Sequence, residues 1–212
     1  MDKGEEKTYC TIYLVRHGET IWNRQKLIQG HTDSRLTEEG ERQAEELGKK
    51  FRNIVFAAAF SSDLIRAKRT AELITLEKKL AVQTTAALRE RYFGWYEGVS
   101  WAGRGIKIRK LLKQIMDLTF KKFLKVRLVP DEETDESLMG RFITNIREIA
   151  VGYRDKNVLV VSHGGVMRKF LIRLGCFKET DWLKIGNTAY VILSSDGVDF
   201  FVKDMSGIEK KQ

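Results

Sequence analysis

Proline, cysteine and histidine are all scarce in this sequence of 212 residues. There is one proline, Pro130, and there are two cysteines, Cys10 and Cys176, which lie far apart and outside any metal-binding or redox spacing. This pattern excludes a disulfide-rich scaffold and a cysteine-based zinc site. The chain also lacks an apolar run long enough to cross a membrane, and its charged start lacks the apolar core of a secretory signal. We therefore expect a cytoplasmic protein whose two thiols are reduced.

The composition is that of a globular enzyme with one strongly basic segment. Hydrophobic residues make up 42% of the chain and charged residues 32%, values typical of a folded domain. Nine Lys and Arg residues and a single acid, Asp117, lie between Arg104 and Arg127, so this segment carries +8 of the formal net charge of +9. Apolar residues recur within it at helical spacing, which predicts a basic amphipathic helix over residues 106–123. Because the rest of the chain is nearly neutral, we expect no nucleic-acid partner.

Apolar, β-branched runs alternate with amphipathic segments along the chain. Five runs predict β-strands, at residues 11–15, 57–61, 158–162, 189–194 and 198–202. Helical periodicity and capping residues predict helices at residues 37–51, 63–74, 106–123, 135–151 and 166–174. The Ser-Ser-Asp-Gly turn at residues 194–197 predicts that the last strand runs antiparallel to the strand before it. We therefore expect an α/β fold: a three-layer, doubly wound, mostly parallel sheet with helices on both faces and one antiparallel edge strand.

The most informative pattern is a strand that ends in histidine and glycine, and it occurs twice. Residues 11–15 lead directly into Arg16-His17-Gly18, and residues 158–162 lead into His163-Gly164. In doubly wound sheets, ligands bind beyond the carboxyl ends of the strands, so we expect the two histidines to meet there. An arginine beside a histidine offers a cationic fork for a phosphate group and a nitrogen nucleophile next to it.

Further motifs accompany these two in a characteristic order. They are Asn23 with Gln29-Gly30, then Leu36-Thr37-Glu38-Glu39-Gly40, then Ser61-Ser62-Asp63-Leu64-Ile65-Arg66-Ala67, and then Leu88-Arg89-Glu90 with Gly94 and Glu97-Gly98. Together with the two strand–His–Gly turns, they resemble the histidine phosphatase superfamily, which includes the phosphoglycerate mutases and related phosphomonoesterases. The resemblance covers residues 11–98 and 158–175.

The resemblance implies a phosphohistidine mechanism that needs no cofactor and no metal ion. It implies that His17 is the nucleophile, that Glu90 is the proton donor, and that the other catalytic groups are Arg16, Arg66 and His163. It also implies a set of residues that bind the phosphate and the substrate: Arg16, Asn23, Gln29, Gly30, Arg66, Glu90, His163 and Gly164. The expected partner is a small phosphorylated substrate.

The family also places a variable substrate cap after the segment that carries the acid. The resemblance therefore implies a single domain over residues 8–205, in which residues 99–134 form a basic helical lid insertion that attracts anionic substrates. The alternatives for this segment are a solvated helix that only covers the sheet and contact with an anionic membrane surface. Beyond the lid, Glu136-Ser137 is interpreted as the Glu-Ser pair that precedes the next helix in the family. A homodimer is compatible with the sequence.

Several assignments have competing interpretations. Glu97 could serve as the acid instead of Glu90, and Asn23 and Gln29 could merely hold a loop. His31 is interpreted as exposed, or at most as a contact that adjusts specificity. Three aromatic residues could line a substrate mouth or simply pack in the core: Trp95, Tyr96 and Trp101.

Three functions are therefore compared. A phosphatase that hydrolyses a small phosphate monoester is favoured, because Glu97-Gly98 resembles the phosphatase branch and the segment after Gly30 lacks the Gly-Trp pair usual in the mutases. The alternative is a phosphoglycerate mutase, which would return the phosphoryl group from His17 to a second hydroxyl. A noncatalytic module that binds anions or a membrane surface is the weakest candidate, because no catalytic group is missing.

Overall fold

The computed structural model describes residues 8–102 and 132–211, and these residues are built on one six-stranded sheet. The strands are β1 (Cys10–Arg16), β2 (Phe56–Ser62), β3 (Val82–Thr85), β4 (Asn157–Ser162), β5 (Trp182–Ser195) and β6 (Phe200–Lys211). Their order across the sheet is β3-β2-β4-β1-β5-β6. The first four in this order are parallel, whereas β5 is antiparallel to both β1 and β6. The mostly parallel sheet with an antiparallel pair at one edge is thus confirmed.

Five α-helices connect these strands within the two described ranges. They are α1 (Ile21–Arg24), α2 (Glu38–Lys50), α3 (Ile65–Thr75), α4 (Asp135–Gly152) and α5 (Gly164–Arg173). Threonine side chains cap three of them: Thr20 accepts the Asn23 N–H at 3.1 Å, Thr37 accepts the Gly40 N–H at 3.0 Å, and Thr134 accepts the Ser137 N–H at 3.2 Å. Helix α5 begins directly after His163, so the second histidine lies at the junction of a strand and a helix.

Each face of the sheet has its own apolar core, because successive side chains of a strand point to opposite faces. One face packs against α4 and α5 through a buried cluster that includes Leu14, Phe142, Val160 and Phe170. The opposite face packs against α2 and α3 through a cluster that includes Val15, Ala44, Ala67 and Leu159. The predicted three-layer arrangement is therefore confirmed.

The structure differs from the sequence-based expectation mainly in the lengths of its elements. Strand β3 was not predicted, because its sequence, Val-Gln-Thr-Thr, is short and polar and lies at an edge of the sheet. The strands expected at 189–194 and 198–202 belong to a longer hairpin that starts at Trp182 and continues to Lys211. The helix expected from residue 63 begins at Ile65, because Leu64 has extended backbone angles (φ −67°, ψ 133°).

Helix α4 confirms the helix expected at residues 135–151, and its N-cap is Thr134. The Glu136-Ser137 pair, interpreted from the resemblance as preceding this helix, lies inside its first turn. The helix expected at residues 106–123, and most of the lid segment 99–134, lie outside the described residues. Of the helices that the structure does describe, none is both long and apolar enough to traverse a membrane.

Candidate active site

The residues expected to form the site converge at the carboxyl ends of the parallel strands β1, β2 and β4. A cavity of about 530 Å³ opens there. Eight of the nine residues expected from the sequence line it: Arg16, His17, Asn23, Gln29, Gly30, Arg66, Glu90 and Gly164. The ninth, His163, is buried beside the cavity, with its ring centroid 5.2 Å from that of His17. The fold therefore brings together groups that are up to about 150 residues apart in the sequence, as expected for a doubly wound sheet.

His17 is buried, and its ring is oriented by its own turn. Its Nδ1 lies 2.8 Å from the carbonyl oxygen of Gly18, and because a carbonyl only accepts, Nδ1 carries the proton and donates it. In the neutral ring, the lone pair is therefore on Nε2. Burial, followed by the charges of Arg66 and Arg16, lowers the pKa of His17 well below its usual value of 6.5. The side chain stays neutral, with Nε2 available as a nucleophile.

Close backbone packing fixes the turn that carries His17. A Cβ atom on Gly18 would lie 2.3 Å from the carbonyl oxygen of Gly40 in α2, so only glycine fits at this position. The N–H of Gly18 donates to Oγ1 of Thr70 in α3 at 3.0 Å. From the opposite side, Nδ2 of Asn187 in β5 donates to the carbonyl oxygen of His17 at 3.2 Å. Two helices and a strand thus hold the turn of His17.

His163 is held in the complementary tautomer. The Nε–H group of Arg66 donates to Nδ1 of His163 at 3.3 Å, so Nδ1 is an acceptor and the proton of the neutral ring is on Nε2. Nε2 of His163 is buried and has no hydrogen-bond partner among the described residues. Burial, and then the charge of Arg66, lowers the pKa of His163 well below 6.5. His163 can therefore donate one hydrogen bond to an anion without itself being charged.

Arg66 is a nearly inaccessible cation, with 1% of its surface exposed. Its Nη1 donates to Oδ1 of Asp33 at 3.0 Å and to the carbonyl oxygen of Thr32 at 3.1 Å, and its Nη2 donates to the carbonyl oxygen of Gly30 at 2.6 Å. Burial lowers the pKa of Arg66, whereas the carboxylate of Asp33 raises it. Asp33 thus stabilises the buried charge and fixes the plane of the guanidinium group. Sequence reasoning missed this role, although Asp33 lies in the polar loop that follows Gly30.

Arg16 is the second arginine that lines the cavity. Its guanidinium group donates to the carbonyl oxygen of Ile185 in β5, while its buried Nε has no partner among the residues that the structure describes. Burial lowers the pKa of Arg16 to about 10, and the nearby Glu90 opposes that effect. A Cβ atom on Gly164 would lie 3.1 Å from Nε of Arg16, so a glycine there leaves room for the arginine. Arg16 remains a cation at neutral pH.

Glu90 reaches the cavity from the segment after β3. Its Oε2 accepts the N–H of Gly165 at 2.7 Å, and its Oε1 accepts the N–H of Arg91 at 2.8 Å. A Cβ atom on Gly165 would lie 2.6 Å from Oε1 of Glu90, so the carboxyl group rests directly on the first turn of α5. This places it beside Arg16 and Gly164, which line the same cavity.

The rival acid, Glu97, is engaged elsewhere. Its Oε1 accepts the N–H groups of His31 at 2.9 Å and Phe93 at 3.0 Å, and its Oε2 accepts the N–H of Thr32 at 2.6 Å. Gly30 passes so close that a Cβ atom there would lie 2.0 Å from Oε1 of Glu97, and its φ of +57° also favours glycine. Glu97 therefore braces the loop that carries Gly30, and it is not among the residues that line the cavity.

Asn23 and Gln29 both line the cavity and both brace α1. Oδ1 of Asn23 accepts the N–H of Thr20 at 3.2 Å and the Nδ2–H of Asn187 at 3.2 Å, which leaves its own amide N–H groups for a ligand. Nε2 of Gln29 donates to Oγ1 of Thr20 at 2.9 Å, and Oε1 of Gln29 is buried without a partner in the described ranges. The two interpretations, holding a loop and contacting a ligand, are thus compatible.

Asn187 is a second residue that sequence reasoning missed. It connects the turn of His17 to Asn23, although it lies in the middle of β5. The pairing of β5 with β6 shifts its register between Ile185 and Tyr190, so the strand is irregular at this point. The signal in the sequence was the Gly186-Asn187 pair, which lies just before the apolar run at residues 189–193.

The remaining expectations have mixed outcomes. His31 is half-buried and not exposed as expected, because its Nε2–H donates to the carbonyl oxygen of Glu90 at 2.9 Å. Trp101 lines the cavity, whereas Tyr96 is buried in a small cluster with Ile28 and Phe93. Among the described residues, no three His, Cys, Asp or Glu side chains are grouped as metal ligands, and metal independence stays a prediction.

Comparison with known proteins gives this geometry a family. The model of the histidine phosphatase superfamily (branch 1) matches residues 12–206. The chain belongs to this superfamily. The family implied by the resemblance in the sequence is thus confirmed.

The relatives of this chain include proteins named as phosphoglycerate mutases and proteins named as phosphatases. The chain is 33% identical over 175 residues to phosphoglycerate mutase-like protein 4 of Arabidopsis thaliana, an alignment that covers 80% of this chain and 73% of the relative. It is 33% identical over 163 residues to an uncharacterized phosphatase, PhoE, of Bacillus subtilis strain 168, with 77% and 76% covered. The crystal structure of phosphoglycerate mutase from Bacillus anthracis superimposes with a TM-score of 0.77 at 27% identity, covering 95% and 94% of the chains.

Proposed function

We propose that this histidine phosphatase superfamily member hydrolyses a small phosphate monoester through a phosphohistidine on His17. The observation that carries the proposal is the state of His17. It is a neutral imidazole whose Nδ1–H donates a hydrogen bond to the Gly18 carbonyl oxygen. The lone pair on Nε2 is therefore available for attack, in a cavity that two cations, Arg16 and Arg66, also line. A phosphate monoester dianion repels an anionic nucleophile, whereas a neutral nitrogen can approach it.

In the first step, the lone pair on Nε2 of His17 attacks phosphorus while the bond from phosphorus to the alcohol oxygen breaks. Arg16 and Arg66 bind nonbridging oxygens, and the Nε2–H of His163 donates a further hydrogen bond, so charge is stabilised where it develops. The carboxyl group of Glu90 gives a proton to the departing oxygen. The products are the alcohol and an enzyme with a phosphohistidine.

In the second step, water attacks the same phosphorus atom and the bond from phosphorus to Nε2 breaks. Glu90, now ionised, accepts a proton from the attacking water, which leaves inorganic phosphate and regenerates the protonated carboxyl group. Its position on the N–H of Gly165, at the wall of the cavity, supports both roles. No step requires a metal ion or a cofactor.

The rest of the cavity favours a small, partly apolar and anionic alcohol. Its wall beyond the phosphate groups includes Leu27, Ile28, Phe93, Trp101 and Leu183, with two further cations, the half-buried Arg168 and the exposed Lys184. Guanidinium groups bind carboxylates and phosphates by paired hydrogen bonds. We propose a phosphorylated metabolite that carries both an apolar portion and a second anionic group.

A phosphoglycerate mutase is the second candidate, supported by the mutase-like relatives. It would retain the phosphoryl group on His17 and return it to another hydroxyl of the same molecule. The two reactions differ in their products, because only the phosphatase releases inorganic phosphate in proportion to the substrate consumed. The noncatalytic alternative is weaker, because the described site retains the nucleophile, the acid and both arginines.

The deciding experiment is to incubate the purified protein with a panel of phosphorylated metabolites and to measure both phosphate release and interconversion of 2- and 3-phosphoglycerate. We expect phosphate release, and acid-labile phosphate on His17 after rapid quenching. His17→Asn should abolish both, with turnover lower by several orders of magnitude. Acid-labile phosphate on His163 instead would reverse the two roles, and isomerisation without phosphate release would establish the mutase. Cytoplasmic location and homodimerisation stay predictions.

A further inference from the structure

The segment that carries Glu90 is anchored by its main chain more than by its own secondary structure. A short 3-10 turn, Ala86–Leu88, ends just before it, and Arg89 has extended backbone angles. Four consecutive carbonyl groups, those of residues 87–90, accept hydrogen bonds from side chains of other elements. Carbonyl groups in an irregular segment need such partners when they are removed from water.

Arg141 of α4 supplies most of these hydrogen bonds. Its Nη1 donates to the carbonyl oxygens of Ala87 at 2.9 Å and Arg89 at 2.8 Å, and its Nη2 donates to that of Glu90 at 2.8 Å. A single guanidinium group thus spans the turn that leads to the acid. Arg141 is not among the residues that line the cavity, so it does not contact a ligand there.

Glu133 fixes Arg141 in this position. Its two carboxylate oxygens accept from Nε at 2.7 Å and from Nη2 at 2.8 Å, a paired geometry that holds the guanidinium plane. Desolvation raises the pKa of Glu133, but its hydrogen bonds and the charge of Arg141 lower it overall. Glu133 directly precedes the N-cap of α4, and Arg141 lies two turns further along, so the pair is formed at the start of this helix.

His31 holds the Glu90 carbonyl group from a second element, the loop that follows Gly30. Its Nε2–H donates to the Glu90 carbonyl oxygen at 2.9 Å, so this oxygen accepts from His31 and Arg141 together. His31 belongs to the loop whose Gly30 carbonyl binds Arg66. The backbone of the acid is therefore connected on one side to α4 and on the other to the loop that orients a phosphate-binding arginine.

From these contacts we propose that Arg141 and His31 are positioning residues for the general acid Glu90. The proposal rests on the function proposed above. With its carbonyl held at two points, the peptide of Glu90 cannot rotate, and the carboxyl group stays on the Gly165 N–H, facing the leaving oxygen. A general acid works only within hydrogen-bond reach of the oxygen it protonates, so small displacements reduce its effect. Neither residue exchanges a proton with the substrate.

The test compares two classes of substrate. Alkyl phosphates have poor leaving groups that need protonation, whereas aryl phosphates such as p-nitrophenyl phosphate need little. In Arg141→Gln we expect kcat/KM for an alkyl phosphate to fall about 30-fold, within the range for impaired general acid catalysis, and that for the aryl phosphate to fall less than about threefold. KM for the aryl phosphate should be unchanged, because the phosphate-binding groups are intact.

The decisive quantity is the ratio of kcat/KM for the alkyl phosphate to kcat/KM for the aryl phosphate. A loss of folded enzyme lowers both values equally and leaves this ratio unchanged. Arg141→Lys keeps the charge but loses the paired contact, and should give an intermediate ratio. His31→Asn should shift the ratio in the same direction. Arg147→Gln is the matched control on α4, since Arg147 is exposed and bonds to the carbonyl oxygen of Val198, away from the cavity.

Each outcome decides one claim. A ratio that falls in Arg141→Gln and is partly rescued in Arg141→Lys supports the positioning role. An unchanged ratio in a variant that folds, or equal effects of Arg147→Gln, overturns it. If Arg141→Gln does not fold, the lysine variant and His31→Asn provide the same comparison. A wild-type protein that forms no phosphohistidine and hydrolyses neither substrate refutes the proposed function itself, which is a different result.

Discussion

The two buried histidines should make this protein lose stability as the pH falls below 7. His17 is 3% exposed and His163 is fully buried, and the pKa of each is well below its usual 6.5. In the unfolded chain both rings are free to bind a proton near pH 6.5, whereas in the folded protein they are not. Lower pH therefore favours the unfolded state, and the stability is regained as the pH rises.

The size of the effect follows from proton linkage. A histidine with an unfolded pKa of 6.5 that stays neutral when folded reduces the free energy of unfolding by about 2 kcal/mol between pH 7 and pH 5. The two rings together should thus cost about 4 kcal/mol, a large part of the stability of a typical domain. Carboxylates such as Glu133 and Asp135, whose pKa values are lowered, also contribute to stability. They lose that contribution only below this pH range, because their pKa values in the unfolded chain are near 4.

The measurement is urea-induced unfolding at pH 7, 6 and 5 in phosphate-free buffer, for the wild type and for His163→Gln. The loss of stability between pH 7 and pH 5 should be about 2 kcal/mol smaller in the variant, because one of the two titrating rings is gone. His31→Gln should have a smaller effect, since His31 is only half-buried: desolvation lowers its pKa, but its hydrogen bond to the Glu90 carbonyl opposes that shift. Equal losses in the wild type and His163→Gln would refute the argument that His163 is held neutral.

Three further predictions concern the glycines and metal independence. Gly165→Ala places a Cβ 2.6 Å from the Glu90 carboxyl group, and should lower alkyl phosphate turnover at least about tenfold while phosphohistidine formation from aryl phosphates persists. Quenched-flow labelling measures both reactions, and equal losses of the two would contradict this prediction. Gly18→Ala clashes with the Gly40 backbone and should destabilise the fold by about 3 kcal/mol in urea, whereas Gly140→Ala, with open space, should not. Dialysis against a chelator should leave phosphate release unchanged; activity that is lost and then restored by magnesium would contradict metal independence.

The sequence by itself determined the architecture and the main groups of the site. Polar residues directly after apolar runs, Arg16-His17 and His163-Gly164, marked the carboxyl ends of two strands. Because the carboxyl ends of parallel strands lie at the same end of a sheet, these groups had to meet once the strands paired. Hydrophobic periodicity is a local property, so it could be read along the chain, although it missed the short polar strand β3 at an edge of the sheet.

Only the tertiary structure decided the states and the supports of these groups. The tautomers of His17 and His163 depend on Gly18 and Arg66, and their lowered pKa values depend on burial beside two cations. The supporting contacts join residues far apart in sequence: Asp33 with Arg66, His17 with Asn187, and Glu90 with Arg141. No local pattern encodes such a contact, because it exists only when packing brings the partners within hydrogen-bond distance and removes the water between them.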